Sequence, residues 1–187
     1  MILSEKYKQA LAFAFDLHRT QERKGSGTPY VAHILGVSSM AMENGATEDE
    51  AIAALLHDAA EDQGGLSVLR EIEQRFGSAV AEVVRECTDA VESPKPPWKE
   101  RKIRYLEHLK SASTSTRLVA SCDKLYNLRA IVSDYRTVGE SVWNRFAGGK
   151  EGVLWYYREL GKALDMPKSL GTEFSDSLSE LESLIKA

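Results

Sequence analysis

The sequence predicts an all-α protein. Apolar residues recur three and four positions apart through most of the chain, no segment sustains a two-residue alternation, and capping and stop residues punctuate the apolar runs. These features favour helices packed on helices around one core. With 187 residues and no internal repeat, the chain suits a single domain spanning 1–187.

Ser4 caps the first expected helix, 4–22, in which Tyr7, Leu11, Ala14, Phe15 and Leu17 or His18 fall at helical spacing. His18 reads as a half-buried structural histidine. Residues 21–29, with Arg23, Lys24, Gly25, Gly27 and Pro29, form a glycine-rich loop whose proline opens the next helix. That helix covers 30–44 and stops at Gly45. Thr47 and Glu50 then make a capping box, and a continuous helix is expected from about 48 to 62, ended by Gln63-Gly64-Gly65.

Helices follow at about 66–76, closed by Gly77, and at 78–90. The prolines of 92–97 forbid helix and mark a loop. Residues 98–110 are helical again and gather Lys99, Arg101, Lys102 and Arg104 beside Trp98; a solvated face is preferred there to a second phosphate contact. A long, mostly apolar helix spans 116–135. Trp143, Phe146, Trp155, Tyr156 and Tyr157 read as core around a short Gly148-Gly149-Lys150 loop, and a polar link beyond Pro167 leads to a C-terminal helical extension at about 172–187.

With 24 basic and 28 acidic residues the net charge is −4, so no global field recommends nucleic acid or an anionic membrane. The apolar runs fall short of the roughly 18 residues a membrane helix needs, and the first residues lack a signal-peptide layout, so a cytoplasmic location is expected. Cys87 and Cys122 sit in helical patterns and read as reduced, small core residues.

Chemistry concentrates in one stretch. An apolar helical run, 52–56, delivers His57, Asp58, Glu61 and Asp62, with Glu61 one turn above His57 and Asp62 one turn above Asp58. Carboxylates beside a buried run call for partners or metal, and acidic residues at a helix C-terminus oppose its dipole. Asp123 poses the same conflict: it follows Leu118, Val119 and Ala120, with Asn127 one turn beyond. Lys124 is adjacent, a position that does not face Asp123, so another partner is expected. His33 lies among apolar residues of its helix, where a lone histidine is ordinarily core. Arg23 and Lys24 precede loop amides and a helix N-terminus that favour anions, and arginine grips phosphate with paired bonds; solvated surface is the alternative.

The order His33, His57-Asp58, Asp123 resembles the H…HD…D ligand pattern of the HD superfamily of metal-dependent phosphohydrolases. The fuller set, Arg23-Lys24, Pro29-Tyr30-Val31-Ala32-His33, His57-Asp58-Ala59-Ala60-Glu61-Asp62 and Asp123-Lys124-Leu125-Tyr126-Asn127-Leu128-Arg129, is similar to the hydrolase domain of RelA/SpoT homologues over about 5–165. It departs from that pattern at Ile34, where proline is usual, and the aromatic stretch 143–157 matches loosely. The synthetase and regulatory regions of the long RelA/SpoT proteins are not in the sequence.

The resemblance implies an HD-domain fold with a metal site between helices and a small stand-alone hydrolase of stringent-response alarmones. It would cut the 3′-diphosphate from (p)ppGpp or the adenine equivalents. By resemblance His33, His57, Asp58 and Asp123 hold the metal, Glu61 and Asp62 are catalytic, and Arg23, Lys24 and Asn127 contact substrate. Read from the residues alone, an aromatic of 143–157 could stack on a nucleobase and Lys150 meet its phosphates, although Gly148-Gly149-Lys150 lacks the spacing of a Walker loop. Two imidazoles with two carboxylates suit Mn2+ better than tetrahedral structural zinc, other divalent ions remaining open. The alternatives are an HD phosphatase acting on a 5′-nucleotide or NADPH, and a non-catalytic nucleotide-binding module. The implied partner is a small nucleotide, and the oligomeric state stays open.

Overall fold

Ser4 accepts a hydrogen bond from the Lys6 amide and opens α1, Glu5–His18, whose buried stripe is Ala10, Phe13, Ala14 and His18. The computed structural model describes residues 2–89, 94 and 96–186. The helix ends before the expected residue 22 because the chain turns to bond with itself: the Arg23 amide donates to the Thr28 carbonyl and the Tyr30 amide to the Gln21 carbonyl, both at 2.8 Å. Glu22 and Pro29 pair as an isolated bridge in this loop. His18 is fully buried, not half-buried.

α2, Tyr30–Glu43, packs against α3, Glu48–Leu56, which starts at the expected capping box. The continuous helix expected to residue 62 is interrupted. His57 and Asp58 form a turn, and a short α4, Ala59–Gln63, follows. The cause is local: the Ala54 carbonyl, which an uninterrupted helix would offer to the residue-58 amide, is met by His57 Nδ1 at 2.8 Å. Glu61 and Asp62 consequently lie in the first turn of α4, where negative charge complements the helix dipole rather than opposing it.

α5, Gly65–Phe76, and α6, Ser78–Cys87, meet at Gly77. The last residue of the expected 78–90 helix lies outside the described residues, as do positions 92, 93 and 95 of the expected loop 92–97; α6 itself stops at Cys87. α7, Trp98–Leu109, precedes α8, Thr114–Val138, which Ser113 caps and Gly139 ends at φ +57°. A 3₁₀ turn, Gly139–Arg145, was not expected from sequence. Gly149 and Lys150, read as loop, begin α9, Gly149–Ala163. α10, Lys168–Lys186, starts directly after Pro167, so the expected polar link is helical, and the helix lies along α8 and α9.

The long α8 is the spine, packed by α2, α3, α6 and α10. Gly36 permits its close approach to α2, since a Cβ there would overlap the Tyr126 ring, and Tyr126 in turn packs edge-on to His33, ring centroids 5.1 Å apart. Leu55, Leu56, Leu125 and Leu128 are fully buried, each contributing about 1.5–3 kcal/mol by leaving water. No described helix is long and apolar enough to cross a membrane, and both cysteines are free and buried.

Candidate functional site

Four donors converge where α2, the α3–α4 turn and α8 meet. The Nε2 atoms of His33 and His57 stand 3.3 Å apart. Asp123 Oδ1 lies 3.3 Å from the first and 3.5 Å from the second, while Asp58 Oδ2 lies 3.5 Å and 3.0 Å from them. Ligands that each sit about 2.1 Å from one ion are themselves on the order of 3–3.5 Å apart, so the donor set fits a divalent cation as it stands. Hydrogen bonding of His57 Nδ1 to Ala54 leaves Nε2 to present its lone pair inward.

The surroundings brace these donors. The Tyr30 hydroxyl donates to Asp58 Oδ2, and Asn127 Nδ2 donates to Asp123 Oδ1 at 2.5 Å. Burial opposes ionisation of Asp58, but His57 and the His33 hydrogen bond prevail and hold its carboxyl well below the usual range. Burial likewise opposes Asp123, and Lys124 and His57 hold it well down. For His57, burial favours the neutral ring, yet the two carboxylates hold it well above its ordinary value. Negative charge is thus concentrated where a cation fits.

Lys124 corrects the expectation that Asp123 must look elsewhere: its Nζ is 2.6 Å from Asp123 Oδ2. A flexible four-carbon stem lets the ammonium reach an adjacent residue that the helix face alone does not offer it. Asp123 therefore has both the neighbouring cation and the remote histidines.

Above the four donors opens a cavity of about 460 Å³, lined by Arg23, Lys24, Glu61, Asp62 and Asn127 among others. Arg23 donates to Asn127 Oδ1 at 2.8 Å and lies 5.8 Å from the Tyr126 ring centre. Its loop is seated tightly: at Gly25, φ +82°, a Cβ would overlap the Arg145 side chain, which is itself paired with Asp134. The structure thus brings together nine of the ten expected site residues. The tenth, Lys150, lies outside the cavity lining and pairs with Glu140 at 2.8 Å.

In its place the cavity receives cations that sequence reasoning left on a solvated face. Arg101 and Lys102 of α7 line the wall, both bound to Asp89. Nothing in the local pattern identifies which face of α7 turns inward; packing against α9 decides it. Tyr30 was also missed, although its position three residues before His33 places both on one helix face. Phe146, Tyr156 and Tyr157, read as core, reach the cavity as well.

Residues 10–154 match the HD domain family. Over 124 residues the chain is 42% identical to the guanosine-3′,5′-bis(diphosphate) 3′-pyrophosphohydrolase of Xenopus tropicalis and 40% identical to that of Homo sapiens, each alignment taking in 65% of this chain and 66% of the relative. The chain therefore spans just under two thirds of the length of these relatives. Among solved structures, a metazoan orthologue of SpoT that hydrolyses ppGpp superposes with a TM-score of 0.79 at 26% identity, over 96% of this chain and 97% of that one. A protein of Listeria monocytogenes superposes at 0.67 and 26%, over 83% and 99%. Ile34, standing where the family pattern has proline, is fully buried in α2 and leaves His33 in register with its partners. Since the match runs through every element that carries the four converging donors, the chain belongs to the HD domain family.

Proposed function

We propose that this chain is a metal-dependent 3′-pyrophosphohydrolase of purine nucleotide alarmones, converting (p)ppGpp or the adenine equivalents to GDP, GTP, ADP or ATP with release of pyrophosphate. The observation that carries the reading is the placement of His33, His57, Asp58 and Asp123 beneath a cavity whose wall combines Glu61 and Asp62 with Arg23 and Lys24. Relatives named for this activity support it. His33, His57, Asp58 and Asp123 would hold a divalent ion, which when bound would acidify water and neutralise phosphoryl charge; we assign Mn2+, in keeping with two imidazoles and two carboxylates.

The chain's own groups supply the rest. Arg23 and Lys24 hold the 3′-diphosphate, and because Arg23 is bonded through Asn127 to Asp123, the phosphate grip is tied directly to the donor set, which favours a fixed orientation of the reacting group. Glu61 and Asp62 orient the attacking water, take up its proton and assist departure of the ribose 3′-oxygen. The water oxygen bonds to phosphorus as the bond from phosphorus to the 3′-oxygen breaks. Two buried free cysteines accord with a reducing compartment, and we place the enzyme in the cytoplasm.

Incubation of manganese-reconstituted protein with ppGpp, pppGpp, their adenine counterparts, NADPH and 5′-nucleotides, with products identified by mass, tests the proposal. Pyrophosphate and the nucleoside 5′-diphosphate or 5′-triphosphate are expected from the 3′-diphosphates; inorganic phosphate from NADPH or a 5′-position, with the alarmones left intact, would replace the proposal.

A further inference from the structure

One buried titratable side chain has no part in the chemistry above. His18, at the end of α1, is fully buried, and its Nε2 has no hydrogen-bond partner. Its ring stacks on Tyr30 with centroids 5.2 Å apart and planes at 25°. Its Nδ1 is 2.7 Å from Gln21 Oε1. On the far side of the same amide, Gln21 Nε2 donates to Asp62 Oδ2 at 2.7 Å, and Gln63 Nε2 donates to Gln21 Oε1 at 2.5 Å.

These contacts determine each other. An ionised carboxylate only accepts, so the amino end of Gln21 must face Asp62; the carbonyl end then faces His18 and Gln63, and both must donate. With the amide reversed, an oxygen would oppose the carboxylate and two donors would oppose an NH2 group. His18 is therefore the Nδ1–H tautomer, and burial, which favours the uncharged ring, agrees.

We propose that His18 and Gln21 form a positioning relay for Asp62, in which the imidazole locks the orientation of the amide and the amide fixes the carboxylate against the reacting water. His18 lies outside the cavity lining, and Gln21 reaches the cavity wall with the same amide that holds Asp62. The inference rests on the reading of Asp62 as a member of the acid–base pair, and it explains why a histidine and a glutamine occupy the foot of the phosphate-holding loop, where apolar residues would pack without leaving Nε2 unpartnered. A second strand of the same arrangement runs through Tyr30, held by the His18 ring and bonded to Asp58.

Steady-state kinetics of the manganese-loaded full chain on ppGpp, with ¹⁵N NMR of the His18 ring on metal-free protein, test the relay. Gln21→Met should lower kcat about tenfold with KM within about twofold, the size of one lost hydrogen bond to a charged group. His18→Leu should match it, whereas His18→Asn, which keeps a donor toward Gln21, should recover to within about threefold of wild type. Gln21→Met added to Asp62→Asn should cost nothing further, because both act through one carboxylate. The wild-type ring should show the Nδ1–H tautomer at neutral pH and lose that preference in Gln21→Met. An Nε2–H tautomer in wild type, multiplicative losses in the double variant, or a change in KM alone would overturn the relay. A wild-type protein that shows the Nδ1–H tautomer but leaves ppGpp intact would instead overturn the functional reading on which the carboxylate's role depends, and the relay to a catalytic group with it.

Discussion

The two halves of α8 carry similar charges in opposite surroundings. In the first half Asp123 and Lys124 pair at 2.6 Å under protein, with side chains 5% and 16% exposed, and the carboxylate also meets His33, His57 and Asn127. In the second half Arg129 and Arg136 reach across to Glu173 and Glu180 of α10, and all four side chains are about half exposed. Both halves join a cation to a carboxylate, one within α8 and the other between α8 and α10; access of water separates them most sharply. Exposed pairs exchange hydration for contact at almost no net gain, whereas a buried charge deprived of its partners is strongly destabilising. The first half therefore spends stability to concentrate charge for chemistry, and the second half uses charge only along a seam.

The comparison breaks most visibly at the donors. His57→Ala and Asp123→Ala should each lose stoichiometric metal after reconstitution and desalting, with hydrolysis falling below detection. Elemental analysis decides it: full metal content in both variants would make the first half of α8 structural, like the second, while partial loss in one would mean that water has replaced a single ligand.

Glu61 and Asp62 should separate turnover from binding. Glu61→Gln and Asp62→Asn preserve shape while removing a basic oxygen, so metal and a 3′-diphosphate nucleotide should still bind by calorimetry while the rate falls by roughly 10²–10⁴. Wild-type rates in both would return them to an ordinary acidic helix turn.

The sequence exposed the chemistry of the first half better than its geometry. Apolar spacing, the Thr47–Glu50 capping box and terminal glycines set most helix positions because those signals act within a few residues. Asp123 and His57-Asp58 stood out because polar groups interrupt apolar runs that have no reason to bury them. The break at residues 57–58 was hidden, since it depends on an imidazole reaching the Ala54 carbonyl, a choice that the same residues in a regular helix would not reveal. Arg101 and Lys102 were hidden for a different reason: their inward turn is set by packing between α7 and α9, far apart in sequence. Lys150 was set beside the substrate because a cation next to an aromatic stretch can meet the phosphates of a stacked nucleotide, while its partner carboxylate, Glu140, lies ten residues earlier across a 3₁₀ turn that no pattern announced.

A smaller effect is expected at the loop that reaches the first half of α8 from outside. Arg23→Ala and Lys24→Ala should each weaken substrate binding by about 1.5–3 kcal/mol, the value of a charged hydrogen bond, with metal content unchanged. Arg23 should show the larger change, because its loss also strips Asn127 Oδ1 of a donor. Equal and unaltered KM values would make both residues surface charges of the kind found along α10.

The smallest effect belongs to the seam itself. Leu170, Phe174 and Leu181 of α10 are buried, and Phe174 packs on Tyr157 with ring centroids 6.0 Å apart, so the attachment of this helix rests on apolar burial and not on its arginines. Arg129→Ala and Arg136→Ala should each change unfolding free energy by at most about 1 kcal/mol in urea titrations, with the difference shrinking as salt is raised. Phe174→Ala, in the same assay, should cost about 3–5 kcal/mol. Losses of that larger size from either arginine, persisting in high salt, would show that the exposed pairs are coupled to the packing beneath them, and the contrast between the two halves of α8 would then reflect how their partners are anchored, not how much water reaches them.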